Sequence, residues 1–332
     1  MTTKQNMVGS TPTPPTFLKR IFLLLASFLN KLAKRPLAFI GFLIVLFYLV
    51  LALIGASIAP YDFKESLRST TDCRTTSSGR EICPQLENNP PSAEHPFGTD
   101  RNGRDIFSRV LYGARDTIGL PSVATVISVF LGMCIGLAAG YFGGWIDEAI
   151  SRVMDSLLAI PALILALVML TTIVPILDQS DIGFIRSIGS TNISLIIVIV
   201  LLYTPIVTRV IRSATLGLRD SGYVEAAKLR GEFTSFILFR EILPGVLPAL
   251  IVEASLRFSY AIFLVASLGF LGLGVQPPSP EWGRMVLEAR SDFVTAPWGL
   301  WFPVLAIAIL IISINLLSDG LRFIFRYEGG RA

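Results

Sequence analysis

The sequence has little of what soluble chemistry uses. Only 16% of its 332 residues are charged, where a soluble globular chain carries roughly 25%. Its single histidine, His95, excludes an HExxH metalloprotease motif and any zinc site built on several histidines; metal-ligating residues are expected to be none. The surrounding His-Pro-Phe-Gly-Thr offers no nucleophile elbow for a Ser-His-Asp triad. No GxxxxGK[ST] segment occurs, so the chain lacks a phosphate loop with which to hydrolyse ATP by itself. No small-residue cleavage site follows the first apolar run, so no cleavable signal peptide is expected.

What is present is apolar. Hydrophobic residues make up 52% of the chain and the mean hydropathy is +0.65, more apolar surface than a water-soluble fold can hide. The runs are about twenty residues long, enough to cross roughly 30 Å of hydrocarbon as helix. Segments such as 38–54 are continuously apolar rather than alternating, which disfavours a transmembrane β-barrel. The fold class is therefore an all-α polytopic membrane protein with six transmembrane helices, expected at about 37–59, 117–141, 149–175, 192–215, 246–274 and 299–321.

Charge sets the topology. The excess of 28 Lys and Arg over 24 Asp and Glu is not gathered on one soluble face, so no nucleic-acid partner is expected. Lys4, Lys19, Arg20, Lys31, Lys34 and Arg35 precede the first span without one acid. Arg209, Arg212, Arg219, Lys228, Arg230 and Arg240 flank the loop after the fourth. By the positive-inside rule both termini are cytoplasmic, as an even span count also requires. The organisation follows: residues 1–36 are a cytoplasmic tail whose part from Phe17 to Lys34 suits a helix lying among lipid headgroups. Residues 37–116 are the first span and a long external loop, 117–321 the transmembrane core with a cytoplasmic loop at 217–245, and 322–332 a basic tail. In the external loop Cys73 and Cys83 are close enough in sequence to close a small ring; a disulfide or two free thiols both fit. Cys134 falls in the second span.

Several features stand out within this frame. Gly132, Gly136 and Gly140 recur every fourth residue, the spacing of a close helix contact in lipid. Glu253 and Arg257 share one face of the fifth span. They are either part of a substrate path or a structural pair near the cytoplasmic end, where Arg257 can snorkel. Most informative is SGYVEAAKLRGEFTSFILFREILPG, from Ser221 to Gly245. It reads as a short helix from Tyr223 to Arg230, a break at Gly231, and a second apolar stripe from Phe233 to Phe239 that Pro244 ends. Such an apolar-faced knob in water calls for a partner protein to cover it.

The spacing Glu225-Ala226-Ala227, Gly231, then Ile242-Leu243-Pro244 resembles the EAA loop of ABC importer permeases. HPFGTDRNGRDIFSRVLYGAR (His95 to Arg115), YFGGWIDEAISRVMD (Tyr141 to Asp155) and FLGLGVQPPSPEWGRM (Phe270 to Met285) are similar to the C-type permease subunit of dipeptide and oligopeptide importers. The resemblance implies a type I ABC importer permease fold forming half of a translocation pore. It is a transport subunit rather than an enzyme, with no catalytic residues and no cofactor on this chain. ATP and magnesium would be bound by two partner ABC ATPases, each gripping one coupling loop. Here Tyr223, Glu225, Ala226, Ala227, Gly231, Phe239, Arg240, Ile242, Leu243 and Pro244 would form that contact, the two alanines keeping the helix slim. Further implied partners are a second, homologous B-type permease and an extracytoplasmic solute-binding protein. Docking or external gating would fall on the loop from Thr70 to Arg109 and the turn after the fifth span, with Asp100, Arg104, Asp105, Pro277, Pro278 and Trp282 as candidates. The implied location is the bacterial cytoplasmic (inner) membrane. The implied cargo is a peptide, with a nickel chelate or glutathione as alternatives on the same machinery. An ion-gradient-driven secondary transporter is the rival of another class, but such proteins show internal repeats with broken helices and this sequence shows no convincing one.

Overall fold

The computed structural model describes residues 29–68, 73–75, 81–179 and 182–329. Most of the proposed headgroup helix, Phe17 to Lys34, and the tip of the external loop lie outside them. The regular structure of the described part is helical apart from a small antiparallel pair of two-residue strands, β1 (Arg74–Thr75) and β2 (Glu81–Ile82).

Five helices are long and apolar enough to cross a membrane: α1 (Pro36–Ile58), α2 (Ile106–Phe142), α6 (Ser190–Leu218), α8 (Thr234–Phe270) and α10 (Trp298–Gly329). The third expected span is not one straight helix. α3 (Gly144–Leu158) and α4 (Ala162–Asp178) meet at 86°. Pro161 lies at the joint, where it removes a backbone donor and biases Ile160 away from helical geometry. α3 has no buried residue and alternates Asp147, Glu148, Arg152 and Asp155 with apolar positions. The 17 residues of α4 reach only about 25 Å. Asp147 and Asp155 of α3 hold Arg212 and Arg209 of α6. α5 (Gly183–Ile188), α7 (Gly222–Leu229) and α9 (Trp282–Ala289) are short connecting helices.

The boundaries also move. α2 begins well before residue 117 because Asp105 caps it, accepting from the backbone N–H of Ser108 at 2.7 Å. α10 runs through Arg322, so that tail is in part a continuation of the last span. Pro244 does not end the second knob helix. A π-helical turn, Ile237–Ile242, widens the backbone just ahead of it, which makes room for a ring that would crowd the carbonyl of Arg240, and α8 continues.

The glycine stripe is the contact of α2 with α6. A Cβ on Gly132 would lie 2.6 Å from that of Val207, one on Gly136 2.7 Å from the carbonyl of Thr208, and one on Gly140 2.6 Å from the Cβ of Thr215. The remaining helices pack around this pair, α1 on α2 and α10, and α8 on α2, α6 and α10. Gly55 of α1 meets the start of α2 at Leu111, Gly320 of α10 meets Ala38, and Lys228 lies over Tyr141 at the end of α2. Both ends of the described chain therefore share one end of the bundle with α7.

Candidate functional site

The loop between α6 and α8 folds as a two-faced knob. Ser221 closes the turn out of α6, its hydroxyl donating to the carbonyl of Leu218 at 2.6 Å. α7 then points Val224 and Ala227 inward, where they join Leu137, Val207, Ile211, Ile237, Leu238, Ile242 and Val246 in one buried cluster. Gly231 has φ +74°, the left-handed conformation that glycine adopts without a Cβ penalty. Nothing lies within 4 Å of where its Cβ would be, so the glycine is required for backbone shape and not for space.

The outward face is apolar in part. Leu229 is 89% exposed and Phe233 83%, with Tyr223 and Phe239 half-exposed. Glu225, Ala226, Arg240 and Pro244 are also outward. Arg230 bridges Glu232 at 3.5 Å and Glu241 at 3.4 Å across the bend. Ala227 corrects the reading of the two alanines: only Ala226 is on the surface, and Ala227 is small because it packs on the transmembrane body. Ile242 likewise belongs to the base of the knob and Leu243 is partly buried.

At the opposite end, the external loop and α9 are tied by charge. Arg104 and Arg109 each bridge Asp100 and Glu288: Arg104 at 2.8 Å to both, Arg109 at 2.6 Å to Asp100 and 2.8 Å to Glu288. Arg284 adds a contact to Glu288 at 3.4 Å. Burial would push the Glu288 carboxyl up, but the charges of Arg109 and Arg104 outweigh it and hold the group below the usual range. Beside this network is a cavity of about 380 Å³ whose walls include Asn88, Arg101, Arg104, Glu288 and Asp292. Cys73 and Cys83 are joined by a disulfide across the small hairpin.

Among the docking candidates, Arg104 is turned inward, its guanidinium spent on Asp100 and Glu288, and two others are buried. Asp105, besides capping α2, faces His95 Nδ1 at 3.0 Å, and Trp282 donates from its indole N–H to the carbonyl of Val110 at 2.9 Å. Both hold the cap together from inside. Pro277 and Pro278 are exposed. Glu281, which the sequence reading passed over, is fully buried and caps α9, accepting from the N–H groups of Gly283 at 2.8 Å and Arg284 at 2.9 Å. Burial, reinforced by the nearby Asp116, pushes its carboxyl up to about 7 although those backbone donors lower it. The only sequence signal was an acceptor placed directly before an amphipathic helical stretch.

Glu253 and Arg257 pair at 2.8 Å, with Arg257 also 4.9 Å from the ring of Tyr260 and 5.6 Å from that of Tyr203. They sit halfway along the apolar part of α8, level with the middle of α6, and not near the end of α8 that carries the knob. Both side chains are largely buried in the bundle, where the pair and the two ring faces compensate each other's charge. Among the described residues no cluster of His, Cys, Asp and Glu is arranged to hold a metal ion.

This architecture and these motifs have relatives. Residues 132–326 match the family described as binding-protein-dependent transport system inner membrane component, and residues 24–91 the N-terminal transmembrane domain of oligopeptide transport permease C. The chain is 36% identical to the dipeptide transport system permease protein DppC of Alkalihalophilus pseudofirmus, over 88% of this chain and 86% of that one. It is 40% identical to the glutathione transport system permease protein GsiD of Pectobacterium atrosepticum, over 71% and 73%. In three dimensions it resembles a chain of the inward-facing MetNI methionine ABC transporter, with a TM-score of 0.51 and 17% identity over 64% of this chain and 93% of that one. The chain is a multi-pass membrane protein of the ABC importer type, and it belongs to the family of binding-protein-dependent transport system inner membrane components.

Proposed function

We propose that the chain is one half of the pore of an ATP-driven importer of peptides, working in the bacterial inner membrane with both termini in the cytoplasm. Its partners are a second, homologous permease, two ABC ATPases that carry the ATP and magnesium, and a solute-binding protein on the outer side. The observation that carries this is the knob: one face is built into the transmembrane body, while the other presents Leu229 and Phe233 to water. Exposed apolar residues on a rigid projection mark a protein contact. Closing of the ATPase pair would push on α7, and the unbroken run of α8 from Thr234 to Phe270 passes the movement into the bundle. Glu225 and Arg240 supply polar contacts at the rim.

Peptide cargo is supported by the name of the dipeptide permease relative. The glutathione permease relative favours a second ligand on the same machinery, itself a small peptide. Affinity capture of the tagged chain from its own membranes should bring down a homologous permease, two ATPase copies and a binding protein. The reconstituted assembly should then accumulate labelled dialanine or glutathione only with ATP present. Capture without ATPases, or uptake driven by an ion gradient alone, would favour the secondary-transporter reading instead.

A further inference from the structure

We propose that Arg104, Arg109 and Glu288 are positioning residues that pass the docking of the solute-binding protein from the external loop to α9; this rests on the importer reading above. The two arginines are the physical link between separate parts of the chain. Asp100 and Arg104 belong to the external loop, Arg109 to the first turns of α2, and Glu288 to the last turn of α9. Each arginine contacts both carboxylates at 2.6–2.8 Å. Arg109 is 3% exposed at its side chain, so it is no docking contact; its charge is directed inward, to carboxylates on two different elements.

The neighbourhood makes the link consequential. Arg101 and Asn102, adjacent to Asp100, are exposed on the face opposite the knob, where a partner delivering solute arrives. Beneath them the cavity of about 380 Å³ separates that surface from Ala289, the last residue of α9, and from Asp292 in the turn that follows. A load on the loop is therefore not carried across by close packing at this point. The shared carboxylates carry it. At its other end α9 is fixed by the Glu281 cap and by Trp282 on α2, so displacement at Glu288 tilts the helix instead of translating it.

The test uses the whole complex in nanodiscs, with the captured binding protein loaded in turn with dialanine and with reduced glutathione. Glu288→Gln keeps the shape and removes the charge. It should leave the affinity for the binding protein within about twofold while binding-protein stimulation of ATP hydrolysis falls about tenfold, one decade in rate. Arg104→Gln should do the same, and the double variant should be no worse than either single, because all three break one link. Stimulation that stays at wild-type level in both singles, or affinity that falls in step with stimulation, would overturn the assignment. If Glu288→Gln fails to assemble, Arg104→Gln decides alone. A wild-type complex that the binding protein does not stimulate at all overturns the importer reading and this assignment together.

Discussion

Two glycines show how the same residue serves different ends. At Gly231 the backbone has φ +74° and open space around it. Gly231→Ala should thus cost about 1–2 kcal/mol of conformational strain, Gly231→Asn less, and a longer unbranched side chain about as much as Ala, with β-branched residues costing more. At Gly136 the conformation is ordinary helix but a methyl group would meet the carbonyl of Thr208 at 2.7 Å. Gly136→Ala should destabilise by about 1–3 kcal/mol through overpacking and Gly136→Leu by more. Melting of the detergent-solubilised protein followed by size-exclusion fluorescence distinguishes the two patterns: size should matter at 136 and not at 231. Glu281 gives the pH dependence. Its carboxyl, ordinarily near 4.5, is pushed up to about 7 by burial, so the fold binds this proton more tightly than the unfolded chain does. The stability it contributes is complete below about pH 4.5 and is lost as pH rises through 7, amounting to about 3 kcal/mol at most. Comparing wild type with Glu281→Gln between pH 5 and 8, the difference in melting temperature should move in favour of Gln as pH rises. A difference that stays flat with pH would refute the buried-acid account of this cap.

Among the elements, those written in contiguous sequence were the legible ones. Hydropathy located the five long helices, since burial in lipid demands an unbroken apolar run. Glycine punctuation located α7 and its bend. The α3–α4 joint was missed although Pro161 and the alternating charges of α3 were in plain view, because summed hydropathy treats an amphipathic surface helix next to a short apolar one as a single span. Likewise Pro244 reads locally as a stop, and only the π-helical turn Ile237–Ile242 shows how a helix passes it. The external network was out of reach for a different reason. Arg109 and Glu288 are 179 residues apart, and no periodicity or spacing rule connects positions brought together only by tertiary packing. Asp105 and Trp282 illustrate the same limit from the other side: a polar or aromatic residue in a loop motif looks available to a partner until the fold shows that it is used internally.

For the molecule as a whole, the charged minority divides the labour. Basic residues around α7 mark the face proposed above as cytoplasmic, paired charges at Arg104, Arg109, Asp100 and Glu288 stitch the opposite face, and Glu253 with Arg257 is a compensated pair midway along α8. The two ends are joined by helices packed through the Gly132, Gly136 and Gly140 stripe, which makes the body between them stiff. A stiff body, with the two partner surfaces proposed above at its ends, fits a transport subunit that is moved by its neighbours. We propose that the exposed face of α7 and the bend holds the ATPases. It is tested most directly by the ATPase retained on the captured chain after Leu229→Asp with Phe233→Asp. These side chains are 89% and 83% exposed, so the substitutions should leave insertion and assembly with the second permease intact. Retention should fall at least about thirtyfold, the loss expected of interface anchors worth about 2 kcal/mol or more. Full retention of the ATPases by this double variant would contradict the account.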